Sequence, residues 1–122
     1  MSTEDELMLM QAGLDKIAVK KVLENNDVIR LADYLMRIVD AKRYWVEALK
    51  NSHTEFDTIY SIFKIETISK VQESLTRIVQ TKLKYPTLSI NDSYKESLEL
   101  ALRELEKLDQ SYRSYEFKLL IG

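Results

Sequence analysis

SYKESLELALRELEKLDQSYRSYEFKLL, residues 93–120, decides the fold class because its apolar residues recur at alternating intervals of four and three. This spacing forms one continuous stripe along an α-helix. Ser93 followed by Glu96 makes a capping-box pattern, which is typical of a helix N-terminus. The sequence therefore predicts a long helix over 93–120. Its stripe consists of Tyr94, Leu98, Ala101, Leu105, Leu108, Tyr112, Tyr115 and Leu119.

Residues 28–51 predict a second long helix by the same criterion, with Lys42 at one position of the stripe. A lysine there can lay its hydrocarbon stem on apolar neighbours and keep its amine in water, or it can mark the register of an assembly. The stripe is wide, so we expect this helix to contact at least two neighbours. Its apolar members are Val28, Leu31, Ala32, Leu35, Ile38, Val39, Trp45, Val46 and Leu49.

Residues 55–85 predict a third long helix, which must end before Pro86 because proline disfavours the helical conformation in the residue preceding it. One apolar series ends at Phe63 and the next begins at Ile68, five residues later rather than three or four. This slip predicts a kink near 64–69. The two series are Phe56, Ile59 and Phe63, and then Ile68, Val71, Leu75 and Ile78.

Residues 59–68, IYSIFKIETI, also allow a short β-strand, because they are rich in β-branched and aromatic residues that partly alternate. An isolated strand without a pairing partner would be unstable, so the kinked helix is the preferred interpretation.

The N-terminal residues predict two short helices, about 3–12 and 16–25. Gly13 is placed to end the first in a left-handed conformation, and Asp15 is placed to cap the second.

The composition is that of one globular domain, since 122 residues include 45% hydrophobic and 31% charged side chains. Two glycines and one proline leave little turn chemistry for a β-rich fold. We therefore expect a single all-α domain over 1–122, a small bundle of three long helices and two short N-terminal ones.

The sequence offers little reactive chemistry. Cysteine is absent, the single histidine is His53, and the two glycines stand far apart, so thiolate metal sites and glycine-rich phosphate loops are excluded. We expect no enzymatic activity, no catalytic residue, no metal or cofactor and no small-molecule substrate.

A local basic segment, residues 64–85, carries five bases against two acids although the whole chain has a net charge of -2. Lys70, Arg77 and Lys84 are spaced by seven, so they line one helix face over about 21 Å and could follow a phosphate backbone. The alternative is that these bases only solvate the face opposite the core.

The C-terminal helix also carries candidate interface residues. Tyr112 and Tyr115 occupy its stripe, where they serve either the core or a protein contact. Leu100, Phe117 and Leu120 lie off the stripe, so this end of the helix is apolar on more than one side. An exposed patch there would call for a partner.

The leading functional hypothesis is a non-enzymatic protein-interaction or assembly protein, docking on itself or serving as a subunit of a larger complex. One alternative is a nucleic-acid-associated subunit of a ribonucleoprotein or replication complex. Another is a small viral or mobile-element protein that binds and inhibits a host factor. No apolar run is long enough for a membrane span, and the acidic N-terminus does not resemble a targeting peptide, so we expect an intracellular, cytoplasmic protein.

Overall fold

The computed structural model describes residues 3–82 and 92–121, with the side chains of 4–82 and 96–116. These residues form four helices and no strand, which confirms the all-α prediction. The helices are α1 (Thr3–Ala18), α2 (Asn25–Lys50), α3 (Glu55–Lys82) and α4 (Asp92–Ile121). The predicted loop at 86–91 and the predicted helix end at Tyr85 lie outside the described residues.

α2 is the central helix, since it packs against α1, α3 and α4. The short connection at residues 51–54 makes α3 antiparallel to α2. α4 runs parallel to α2, because Lys42 pairs with Asp109 while the cluster of Val46 and Leu49, further along α2, packs against Tyr112 and Tyr115, further along α4. The wide apolar stripe of α2 is thereby explained by neighbours on several sides.

α1 runs parallel to α3 and is tied to it at both ends. Lys64 of α3 donates a hydrogen bond to Glu4 in the first turn of α1. Lys82, eighteen residues further along, donates to the backbone carbonyl of Lys20, just beyond the end of α1. These two links fix the position of α1 along α3.

The prediction of two short N-terminal helices is wrong, because α1 continues through Gly13 without interruption. Gly13 does not adopt a left-handed conformation. A β-carbon at this position would collide with the Tyr34 hydroxyl and would lie 3.0 Å from Cζ of the same ring. A larger residue at position 13 would therefore force the Tyr34 side chain of α2 to move.

The connection between α1 and α2 is residues 19–24, where the sequence predicted part of the second short helix, and Asp27 belongs to the first turn of α2. The buried Asp27 carboxylate accepts hydrogen bonds from the Glu24 backbone N–H at 2.9 Å and from Lys20 Nζ at 2.9 and 3.0 Å. Burial opposes ionisation, but these hydrogen bonds outweigh it and hold the pKa of Asp27 below its ordinary value of 3.8.

α3 is uninterrupted helix through residues 59–68, so the alternative of a strand there is wrong. The kink near 64–69 stays a prediction. The apparent slip in the apolar pattern has another cause, because Ser61 and Lys64 occupy buried positions that continue the stripe backwards from Ile68. With them included, the buried positions keep helical spacing at 61, 64, 65, 68, 71, 75, 78 and 79.

The core contains one large cluster at the centre of the bundle and a small one near the C-terminal end of α2. Leu98, Ala101 and Leu105 of α4 are buried as predicted. The small cluster consists of Val46, Leu49 and Ile65, with Trp45, Ile62, Tyr112 and Tyr115 packed against it.

We predict that Asp27→Asn lowers the free energy of unfolding by about 1–2 kcal/mol at pH 7. The neutral amide is a weaker acceptor than the carboxylate for the hydrogen bonds from the Glu24 backbone N–H and from Lys20 Nζ. The pKa of Asp27 is lowered by folding, so its stabilisation is present above pH 3.8 and is lost as the pH falls through the folded-state pKa. Urea unfolding at several pH values should therefore show the two proteins converging in acid.

The matched control is Asp33→Asn, which alters an exposed ion pair with Arg37. This variant should stay within about 0.5 kcal/mol of the wild type at every pH. A difference between Asp27→Asn and the wild type that persisted unchanged at pH 2 would contradict the assignment.

Candidate functional site

The exposed face of the first half of α3 is apolar. Phe56, Ile59, Tyr60 and Phe63 lie at i, i+3, i+4 and i+7, and their exposed fractions are 74%, 60%, 43% and 56%. Three of them, Phe56, Ile59 and Phe63, are the first apolar series of the predicted third helix, and the structure shows that this series does not face the core. The core stripe passes through Ser61 and Lys64 instead, which turns these large side chains outward.

A chain of three ring contacts runs from this face to α2, and one of them, between Tyr60 and Trp45, joins the two helices. The Phe56 and Tyr60 rings are stacked, with centroids 6.0 Å apart and 8° between their planes. Trp45 meets Tyr60 edge-on at 5.5 Å and Tyr44 edge-on at 5.1 Å. Because each ring is positioned by its neighbour, the exposed aromatic groups of α2 and α3 form one preorganised surface.

Lys64 fixes the border between this surface and α1. Its side chain is buried, with Nζ 5.2 Å from the Tyr60 ring centroid and 5.8 Å from that of Trp45. Burial by itself would lower the pKa of Lys64, but its interactions with Glu4 and Tyr60 outweigh burial and raise the pKa. Lys64 in turn lowers the pKa of Glu4. The ion pair is therefore favoured at neutral pH.

Met8 extends the surface onto α1. It lies one turn after Glu4 on the same side of the helix and is exposed. We call the whole set the apolar surface, and it consists of Met8, Tyr44, Phe56, Ile59, Tyr60 and Phe63.

A second cluster surrounds Lys42, which is only 1% exposed. Lys42 Nζ donates to Ser69 Oγ at 3.0 Å, to Gln72 Oε1 at 2.6 Å and to the Asp109 carboxylate. Gln72 Nε2 donates to the second oxygen of Asp109 at 3.0 Å. All three ammonium donors have acceptors, so Lys42 acts as a connector of α2, α3 and α4.

A small cavity of about 210 Å³ adjoins this network and is partly lined by Asp109 and Tyr112. The Tyr112 hydroxyl is buried without a hydrogen-bond partner among the described atoms. Burial, together with Glu116 and Glu66, raises the pKa of Tyr112 to about 12. At neutral pH this hydroxyl is therefore a neutral hydrogen-bond donor.

Two residues of the predicted nucleic-acid stripe, Lys70 and Arg77, are exposed on α3, and neither forms an ion pair with another described side chain. Glu73, also exposed, lies between them along the helix. Lys84 lies outside the described residues. Lys64, counted among the five bases of this segment, is buried and paired.

The predicted interface residues of α4 do not share one environment. Leu100 is exposed, whereas Tyr112 and Tyr115 are half-buried against the cluster of Val46 and Leu49. The side chains of Phe117 and Leu120 lie outside the described set.

His53 is exposed at the connection between α2 and α3. Within the part of the chain that the structure describes, no group of three or more acidic or histidine side chains could hold a metal ion. No helix in that same part is both long and apolar enough to cross a membrane.

Comparison with protein-family models, with curated proteins and with solved structures finds no match to this chain.

We predict that Phe63→Ala and Ile65→Ala differ sharply although the residues are two positions apart. Ile65 is fully buried, so its truncation should cost about 2–4 kcal/mol, whereas truncation of the exposed Phe63 should cost less than about 1 kcal/mol. Urea unfolding of both variants provides the measurement. Equal losses would contradict the orientation of α3.

The Lys42 network gives a second prediction. Lys42→Met should cost about 2–4 kcal/mol, because it leaves the partly buried Asp109 carboxylate without its cation. Lys42→Met combined with Asp109→Leu should recover most of that loss, since a matched apolar pair replaces the ion pair. A double-mutant cycle by chemical denaturation measures this coupling. Strict additivity of the two changes would show that the residues do not act together.

Proposed function

We propose that this chain is a non-enzymatic protein-interaction or assembly protein that docks through the apolar surface. The observation that carries this proposal is the exposure of large apolar side chains on one preorganised face of α3 and its neighbours. Such side chains gain free energy when a partner removes them from water.

The size of the surface supports a partner. The six side chains are 43–74% exposed, and with about 150–250 Å² for each large side chain they present roughly 700 Å² of largely apolar area. The largest apolar patch on a typical monomer covers about 300–600 Å². A standard protein interface buries about 800 Å² on each partner.

The composition of the surface also supports this function. Aromatic residues and methionine are enriched at protein interfaces, where rigid rings lose little conformational entropy on binding. Phe56 and Phe63 are seven residues apart, which is the spacing of anchor residues on a docking helix. An inhibitor of a host factor would use the same kind of surface, so that hypothesis differs only in the partner.

Nucleic-acid association is the second candidate, supported by the exposure of Lys70 and Arg77 on α3 without a described ion-pair partner. Binding through phosphates would weaken steeply as salt is raised, because condensed counterions are released on binding. Lys70→Glu combined with Arg77→Glu should then abolish binding to single- or double-stranded DNA and RNA. Unchanged binding would show that Lys70 and Arg77 do not form a nucleic-acid-binding site.

The proposed docking is tested with Phe56→Ser combined with Phe63→Ser, measuring both self-association by sedimentation and co-purification from the native host by quantitative mass spectrometry. Both positions are exposed, so the variant should keep the wild-type unfolding midpoint within a few degrees. We expect its associations to weaken about tenfold or more, since aromatic anchors dominate interface energies.

Leu100→Ser is the matched control, because Leu100 is an exposed apolar residue on α4, outside the apolar surface. It should retain the associations that the double variant loses. If Leu100→Ser lost these associations while the double variant retained them, the interface would lie on α4 and the proposal would be overturned.

A further inference from the structure

We infer that the apolar surface is a docking groove for a basic amphipathic helix of a partner protein, which lies between α2 and α3 in line with α1. This inference rests on the proposed docking function and names the chemistry of the partner. It follows from the side of α3 that α1 covers and from the charges that border the surface.

The groove that holds α1 continues beyond the first described turn of that helix. Lys64 and Lys82 both bond to the α1 segment and lie eighteen residues apart, which is five helical turns, so they mark the side of α3 on which α1 packs. Tyr60 lies one turn before Lys64 near that side, and Phe56 lies one turn earlier still. Because the first turn of α1 is level with Lys64, it leaves both rings exposed.

α2 forms the other wall of this groove. Tyr34 meets Gly13 of α1, and Trp45 lies eleven residues further along α2, which is about three turns, so it faces the same side. The half-buried Trp45 ring meets the Tyr60 ring of α3 at 5.5 Å, which joins the two walls. Residues 55–63 extend the groove by about 13 Å, or two to three helical turns. Since α1 already fills the neighbouring part of the groove, a second helix fits this part.

The border of the apolar surface is acidic. At one, three or four positions along the chain from its six residues, there are seven acidic residues and only two of lysine or arginine. Both of these bases are engaged, since Lys64 is buried against Glu4 and Arg43 pairs with Asp40 and Glu104. The acidic residues of the border are Glu4, Asp5, Asp40, Glu47, Glu55, Asp57 and Glu66.

Four of these carboxylates, those of Glu47, Glu55, Asp57 and Glu66, form no ion pair with another described side chain. The next exposed base on α3 is Lys70, two turns beyond Phe63. Lysine or arginine residues beside the apolar stripe of a docked helix would pair with the unpaired carboxylates, whereas acidic residues there would be repelled. The border therefore selects a basic helix and disfavours nucleic acid or an anionic lipid at this surface.

Trp45 is the single tryptophan of the chain, so its fluorescence reports directly on this groove. The probe is a tryptophan-free synthetic helix of about eighteen residues, with leucines at intervals of three and four and lysines at the other positions. A second peptide has glutamate, which has similar helix propensity, in place of every lysine.

We expect saturable changes in Trp45 emission with the lysine peptide, which should bind about tenfold or more tightly than the glutamate peptide. Raising the salt concentration to about 1 M should remove most of this preference, since the Debye length is then about 3 Å. Phe56→Ser combined with Phe63→Ser should abolish the response to the lysine peptide.

Charge reversal at the border tests the selection directly. Glu55→Lys combined with Glu66→Lys should weaken binding of the lysine peptide about tenfold and strengthen binding of the glutamate peptide. The matched control is Glu99→Lys combined with Glu106→Lys, which makes the same change in net charge at exposed positions of α4. This control should change neither affinity by more than about twofold, because charges more than about 10 Å away are screened.

The inference is overturned if the two peptides bind equally well or if neither binds. Equal effects of the α3 and α4 reversals would also overturn it, because they would indicate attraction by net charge alone. Self-association in sedimentation that requires Phe56 and Phe63 would make a second copy the occupant. In each of these cases the proposed function still stands if Phe56→Ser with Phe63→Ser loses an association, and it fails if no association depends on those residues.

Discussion

A buried ammonium group needs an acceptor for each of its three N–H bonds, and around Lys42 those acceptors come from two different helices. Ser69 and Gln72 lie on α3, and Asp109 lies on α4. Sliding either helix by one turn would leave a desolvated charge without its partners, which costs far more than a misplaced methyl group. The network therefore selects one register of α3 and α4 on α2. The apolar stripes supply most of the stabilisation, but apolar packing alone would tolerate more than one register of the helices.

The same preference for paired polar groups in the interior explains which parts of the fold could be predicted. α2 and α4 were predicted nearly as observed because their stripes are apolar and regular, and periodicity alone determines such helices. The inward face of the first half of α3 could not be identified from its apolar residues, because the charged Lys64 occupies a core position. Its partner, Glu4, is sixty residues away, and no local pattern reveals a pairing at that distance.

The candidate surface was missed for that reason. Phe56 and Phe63 have the composition of core residues, and only their angular position relative to the true stripe shows that they face solvent. The signal available in the sequence was that Ser61 and Lys64 continue the helical spacing of the core stripe backwards from Ile68. Sequence reasoning did find Leu100 as exposed apolar area and Lys42 as an exception within its stripe. The acceptors of Lys42 required the three-dimensional arrangement.

Gly13 and Tyr34 share one volume between α1 and α2, since the tyrosine ring occupies the space that a β-carbon would need. The two positions are therefore not free to vary independently. A larger residue at 13 is accommodated if residue 34 becomes smaller or if the Tyr34 ring moves aside, and replacing glycine would also improve the intrinsic helix propensity of α1. Among sequences that keep this fold, residues 13 and 34 should change together, which makes them a pair by which the fold can be followed where overall sequence similarity has faded.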